Sequence, residues 1–167
     1  MGKANYSHRL KDLASESEAT LSMPFRLQVP ESVLAAMMAQ AVAEQPNECC
    51  GLLAGVLEAT ELATTPIGRV VTRFPLVNEL ASPTRYCSEG RSLLNADKAM
   101  RTGGLQLLAI YHSHPTTAPI PSRTDLADNP YEDAIVHLII SLAASPPLVR
   151  GWRLTTTGYR EEEWDVI

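Results

Sequence analysis

Four residues carry the clearest chemistry in this chain. His112, His114, Ser122 and Asp125 are spaced H-x-H-x7-S-x2-D within the stretch YHSHPTTAPIPSRTD. The two histidines close an apolar run. If that run is a strand, residues two apart point to the same side, and both imidazoles can address one ion. Pro115, Pro119 and Pro121 follow, so the chain must leave the ladder and turn. Ser122 is a good N-cap residue. Asp125 falls in the first turn of the helix it would start, which carries a carboxylate back towards the imidazoles. Two His and one Asp make three protein ligands, and zinc held this way keeps its fourth tetrahedral position for water. A plainer reading competes: Ser122-Arg123-Thr124-Asp125 also fits a capping box, in which the acid serves only the N-cap amide. His-x-His alone is a weak metal signal. The full set at fixed spacing, closing a strand-like run, is far rarer than either part, and this favours the zinc site.

These residues resemble the metal-binding motif of the JAMM, or MPN-plus, metalloproteases. In that family a glutamate well upstream precedes His-x-His, then the Ser and the Asp. The resemblance covers about Phe25 to the C-terminus. It implies zinc held by His112, His114 and Asp125, and cleavage of isopeptide or peptide bonds after the C-terminal glycine of ubiquitin and ubiquitin-like proteins. Glu48 opens an apolar strand after the first predicted helix and matches the family glutamate, the base for the bound water. Glu44 is the nearest rival but lies in the helix. Ser122 would donate a hydrogen bond to the developing oxyanion, besides any capping role. Asn78, Ser82-Pro83 and Tyr86 resemble a segment family members carry before their second helix, and are read as positioning residues. Ser113 should face away from the metal and hydrogen-bond the loop.

The chain has little room between Gly104 and Pro147 for the long loops with which larger members grip ubiquitin chains. It therefore resembles the short stand-alone prokaryotic members, and the implied substrate is a ubiquitin-like or sulfur-carrier protein with a Gly-Gly tail. Two alternatives stay open: a non-catalytic MPN scaffold, and a zinc amidase acting on small molecules. A homodimer also stays open. The fold implied by the resemblance is α/β, the MPN/JAMM (cytidine deaminase-like) sandwich, a curved mixed β-sheet flanked by helices.

The elements needed to position these residues are legible in order. Residues 1–24 are polar and read as a flexible tail, in which His8 is a poor ligand candidate; residues 25–167 form the metalloprotease domain. Phe25–Val29 alternates as a short strand. Pro30 suits the first turn of a helix whose apolar face is Val33, Leu34, Met37, Met38, Ala41 and Val42, ended by Pro46. Glu48–Leu57 reads as a buried strand in which Gly51 and Gly55 require a close approach by another group. Thr60–Gly68 is a turn region. Gly68–Leu80 holds one or two strands, interrupted by Pro75. Ser88 caps a helix running to about Met100, stopped by Gly103-Gly104. Leu105–Tyr111 delivers His112. A short helix ends near Ala127, before Asp128-Asn129-Pro130. Ala134–Leu142 is an apolar strand whose His137 reads as a core or hydrogen-bonded residue. Leu148–Thr155 and Glu161–Ile167 complete the set, joined at Gly158.

Composition bounds the rest. A chain of 167 residues is one domain with a real core. Its net charge of −5 and lack of a basic stripe argue against nucleic acid. No run reaches the roughly 18 apolar residues of a membrane helix. No signal-peptide core is expected, and Tyr6 stands where a myristoylation signal wants Ser or Thr. Three cysteines, an odd number, fit a reducing compartment, so the expected location is cytoplasmic. Cys49 and Cys50 are adjacent and point to opposite faces on a strand, so they read as core residues, and Cys87 reads as structural.

Overall fold

The computed structural model describes residues 24–59 and 65–167. The expected tail with His8, and most of the expected turn at Thr60–Gly68, lie outside the described residues. Among the described residues, eight strands and three helices follow in chain order: β1 Arg26–Val29, α1 Glu31–Ala43, β2 Cys50–Glu58, β3 Ile67–Leu76, α2 Gly90–Thr102, β4 Gln106–His114, α3 Arg123–Ala127, β5 Val136–Ser141, β6 Leu148–Leu154, β7 Tyr159–Glu162 and β8 Trp164–Val166.

All eight strands join one mixed sheet in the order β7-β6-β5-β4-β2-β3-β1-β8. β4 sits at its centre, antiparallel to β2 and parallel to β5. β4 and β5 are buried along almost their whole length, which explains their continuous apolar runs, because strands covered on both faces lose alternation. β7 and β8 pair with opposite margins of the sheet, β7 with β6 and β8 with β1. Only Glu163 separates them. The sheet must curl until its two margins come within one residue of each other. The expected curved mixed sheet with flanking helices is therefore the observed fold.

Several element boundaries differ from expectation, each for a local reason. Glu161–Ile167 is not one strand but two, because the chain crosses between margins at Glu163. Pro75 does not interrupt β3; it lies inside it, opposite Gly51. β1 pairs only with Ile67–Arg69 of β3, so the missing N–H of Pro75 costs no bond to β1. Ser88 does not cap α2. Glu89 does, its carboxylate accepting the Ser92 N–H, while Ser88 bridges to Asn78. α1 ends at Ala43 rather than at Pro46, and Val42 of its expected apolar face is exposed.

The two strand glycines are close-approach positions. A Cβ on Gly51 would collide with the ring of Tyr111, and one on Gly55 with the carbonyl of Arg69. Tyr111 needs the space above Gly51 to reach a polar cluster, where its hydroxyl donates to Gln40 Oε1 at 2.6 Å and accepts from Arg73 at 3.1 Å.

Candidate metal centre and active site

β4 runs through to His114, so both histidines sit inside the strand and share one face. Both are buried, at 0% and 6% exposure. Their Nε2 atoms lie 3.1 Å apart. Asp125 reaches them from α3: Oδ1 is 3.4 Å from His112 Nε2 and Oδ2 is 3.8 Å from His114 Nε2. One donor atom from each of the three residues lies within 4.8 Å of the others. Tetrahedral zinc with bonds of about 2.0–2.1 Å sets its donors about 3.3 Å apart, so the three residues fit that ion in donor type and in spacing.

The proline-rich segment that carries Asp125 back is held at three points. Ser141 Oγ donates to Thr117 O at 2.6 Å, Trp152 Nε1 donates to Pro119 O at 2.8 Å, and His114 Nδ1 donates to Ala118 O at 2.8 Å. The last bond also fixes the His114 tautomer, leaving Nε2 with a free lone pair. Ser122 caps α3 in a complete capping box: its Oγ accepts from Asp125 N at 3.2 Å and its N–H donates to Asp125 Oδ2 at 2.6 Å. The two readings of this segment are thus compatible, because the acid that serves the cap also faces the histidines.

Electrostatics follow from this packing. Burial works against the Asp125 carboxylate, but the imidazoles of His112 and His114 beside it outweigh burial and hold its pKa far below the ordinary range. Burial also disfavours charge on His114, yet the nearby Asp125 carboxylate and the bond to Ala118 O win and raise its pKa.

Glu48 lies just ahead of β2. The Cys50↔His112 pairing continues one step further through Ser113 N–H to Cys49 O at 3.1 Å, which brings Glu48 opposite His114. It is 5% exposed. Burial pushes its pKa up to about 7, with His114 lowering it and Asp125 raising it. Its backbone is clamped on both sides: Glu48 N donates to Ser82 O, and Asn78 Nδ2 donates to Glu48 O, both at 2.9 Å. Asn78 also donates to Arg85 O and accepts from Leu80 N and Cys87 N, shaping the loop that carries Tyr86. The Tyr86 ring stacks on His112, centroids 4.8 Å apart.

Ser113 does not bond the loop as expected; its Oγ accepts the Cys49 N–H at 2.8 Å, locking β4 to the start of β2. Glu44 remains outside the site, at the end of α1, bonded to Gln40. Cys49 and Cys50 are fully buried, with thiols pushed up by burial to about 11 and about 12; Cys87, half-buried, also rises to about 11. None has the lowered pKa of a nucleophile. The Ala118 carbonyl that orients His114 had no signal in the sequence, since a backbone acceptor can belong to any residue type.

The family model described as prokaryotic homologs of the JAB domain matches residues 30–155. The chain is 40% identical over 103 residues to a protein of Thermus thermophilus named "Probable TtuB-protein conjugate cleaving protease", a match covering 61% of this chain and 62% of that one. It is 31% identical over 132 residues to the CysO-cysteine peptidase of Mycobacterium tuberculosis, covering 79% and 85%. A solution structure of a protein from Desulfitobacterium hafniense superposes with a TM-score of 0.72 at 31% identity, over 84% of this chain and 92% of that one.

Proposed function

Because the chain belongs to the family of prokaryotic homologs of the JAB domain, we propose that it is a zinc-dependent peptidase. In this reading it hydrolyses the isopeptide or peptide bond after the C-terminal glycine of a ubiquitin-like or sulfur-carrier protein. The observation that carries the reading is the convergence of His112, His114 and Asp125 on one point, with the buried Glu48 brought opposite His114. The names of the Thermus and Mycobacterium relatives, a TtuB-protein conjugate cleaving protease and a CysO-cysteine peptidase, support the same class of bond.

His112 and His114, each through Nε2, and one oxygen of Asp125 would hold the metal. Zinc in such a set supplies Lewis acidity, which makes water a nucleophile near neutral pH and polarises a carbonyl. Glu48 is the base. Its raised pKa suits a group that takes a proton from the attacking water and returns it to the leaving amine. Ser122 is exposed and caps the helix that carries Asp125. Its oxygen accepts from Asp125 N, so its own proton is free to reach the developing oxyanion, a role worth roughly 3 kcal/mol where such donors have been removed elsewhere. A Gly-Gly tail suits a buried site because it brings an extended backbone with no side chains.

The test is cleavage of paired fusions ending in Gly-Gly or Ala-Ala, beside small amides, with zinc added or chelated. Cutting of Gly-Gly fusions alone, abolished by the chelator, is expected. Equal cutting of both pairs would remove the glycine specificity. Cutting of small amides alone would make the protein an amidase, and no cutting of any substrate by zinc-loaded protein would leave a scaffold.

A further inference from the structure

His112 and His114 are unequal in their second nitrogens. His114 Nδ1 is bonded to Ala118 O, whereas His112 Nδ1 is buried without a protein partner. Histidines that hold a metal nearly always donate their other N–H to an acceptor, which fixes the ring and its tautomer. A second buried imidazole nitrogen lacks a protein partner as well: Nε2 of His137, a residue 3% exposed. In the β4–β5 pairing His137 stands opposite Ile110, and His112 stands opposite Ile139. The two histidines are therefore diagonal neighbours on one sheet face. Strand spacing and rise put their Cα atoms roughly 8 Å apart, a span that two imidazole arms and one water fill.

Two other buried side-chain atoms lack a hydrogen-bond partner among the described residues, Gln106 Oε1 and Arg153 Nε, the latter ion-paired with Glu162 at 3.6 Å. Gln106 stands six residues down β4 from His112, about 20 Å away, and the bulge in β4 between Leu107 and Ala109 turns it to the other face. Arg153 Nε is a donor and cannot accept a proton bond. His137 Nε2 is thus the unpartnered acceptor within reach of His112 Nδ1.

We infer that His137 is the positioning residue for His112: one enclosed water accepts the His112 Nδ1–H and donates to His137 Nε2, holding the His112 ring with Nε2 turned to Asp125 and His114. A water in a polar enclosed site with two such partners is a usual structural element. The arrangement needs His137 neutral, and burial together with the nearby His112 depresses its pKa to about 3. The inference rests on the zinc reading of the site, since it assigns His112 to the metal.

Zinc affinity, measured by competition with a chromophoric chelator, tests it without reference to activity. His137→Leu removes the acceptor and should weaken zinc about 10–100-fold, the usual cost of losing an outer-shell partner. His137→Gln, whose amide oxygen can take the Nε2 place, should restore most of that loss. Unchanged affinity in a folded His137→Leu protein would overturn the inference, as would equal weakening by both substitutions. Long-range 1H–15N spectra of zinc-loaded wild type need no variant. A slowly exchanging His112 Nδ1–H and an unprotonated His137 Nε2 are expected; a proton on His137 Nε2 would overturn the assignment. Failure of wild type to bind zinc at all would instead remove the zinc reading.

Discussion

Ser113 Oγ accepts the backbone N–H of Cys49 at 2.8 Å, across the β4–β2 boundary. Ser113 stands between the two candidate ligands, and Cys49 directly follows the candidate base. One buried hydrogen bond therefore sets the distance between the metal-facing strand and Glu48. Ser113→Ala should keep zinc at one equivalent and lower kcat by about tenfold with little change in KM, the pattern of a displaced base. A loss of about 1–3 kcal/mol of stability is expected too, because Cys49 N–H is left without its partner. Steady-state kinetics beside metal analysis would check this, and a rise in KM with kcat intact would contradict it.

Glu48→Gln should bind zinc as wild type does yet lose at least about 100-fold in turnover, because the amide cannot take a proton. The same change predicts a stability effect with a definite sign. Burial raises the folded-state pKa of Glu48 from an ordinary carboxylate value to about 7. Between those two values the folded protein binds more protons than the unfolded chain, so stability falls as pH rises through this window and stays lowered above it. The metal-free Glu48→Gln protein should therefore melt higher than metal-free wild type at pH 8 and show little advantage at pH 4. Thermal melts at the two pH values in chelator would show it.

Zinc binding should weaken as the solution is acidified. The metal competes with the proton on His114, whose pKa in the metal-free protein lies above the ordinary histidine value through Asp125 and Ala118. Protonation below that pKa removes the Nε2 lone pair, so affinity falls with falling pH and recovers with rising pH. Chelator-competition titrations from pH 5 to 8 measure this. Asp125→Asn, which removes the charge that raises His114, should move the acid limb to lower pH while weakening zinc overall.

Gly51→Ala tests the architecture rather than the chemistry. The added methyl would collide with the ring of Tyr111, whose hydroxyl is tied to Gln40 and Arg73. The ring cannot retreat without losing those bonds, so a destabilisation of about 1–3 kcal/mol is expected. Denaturant unfolding gives the value. Gly158→Ala, with open space around it, is the matched control and should change stability little.

The sequence by itself determined the candidate ligand set and its carriers. Alternation puts His112 and His114 on one face, and the capping chemistry of Ser122 brings Asp125 back within one helical turn. Both are local rules that need no knowledge of distant chain. The buried cysteines and the strand glycines were legible for the same reason. Tertiary structure decided whatever depends on partners far apart in sequence. The Ser113–Cys49 bond spans 64 residues, and Asn78 grips the carbonyl of Glu48 from 30 residues away. The split of the final segment into β7 and β8 follows from the curl of the whole sheet, which no window of seven residues encodes. Pro75 stays inside a strand because β1 stops short of it, a fact about β1. Side chains carry their own chemistry in the sequence, but the distant backbone group that a side chain will bond has no letter there, and only the folded chain supplies it.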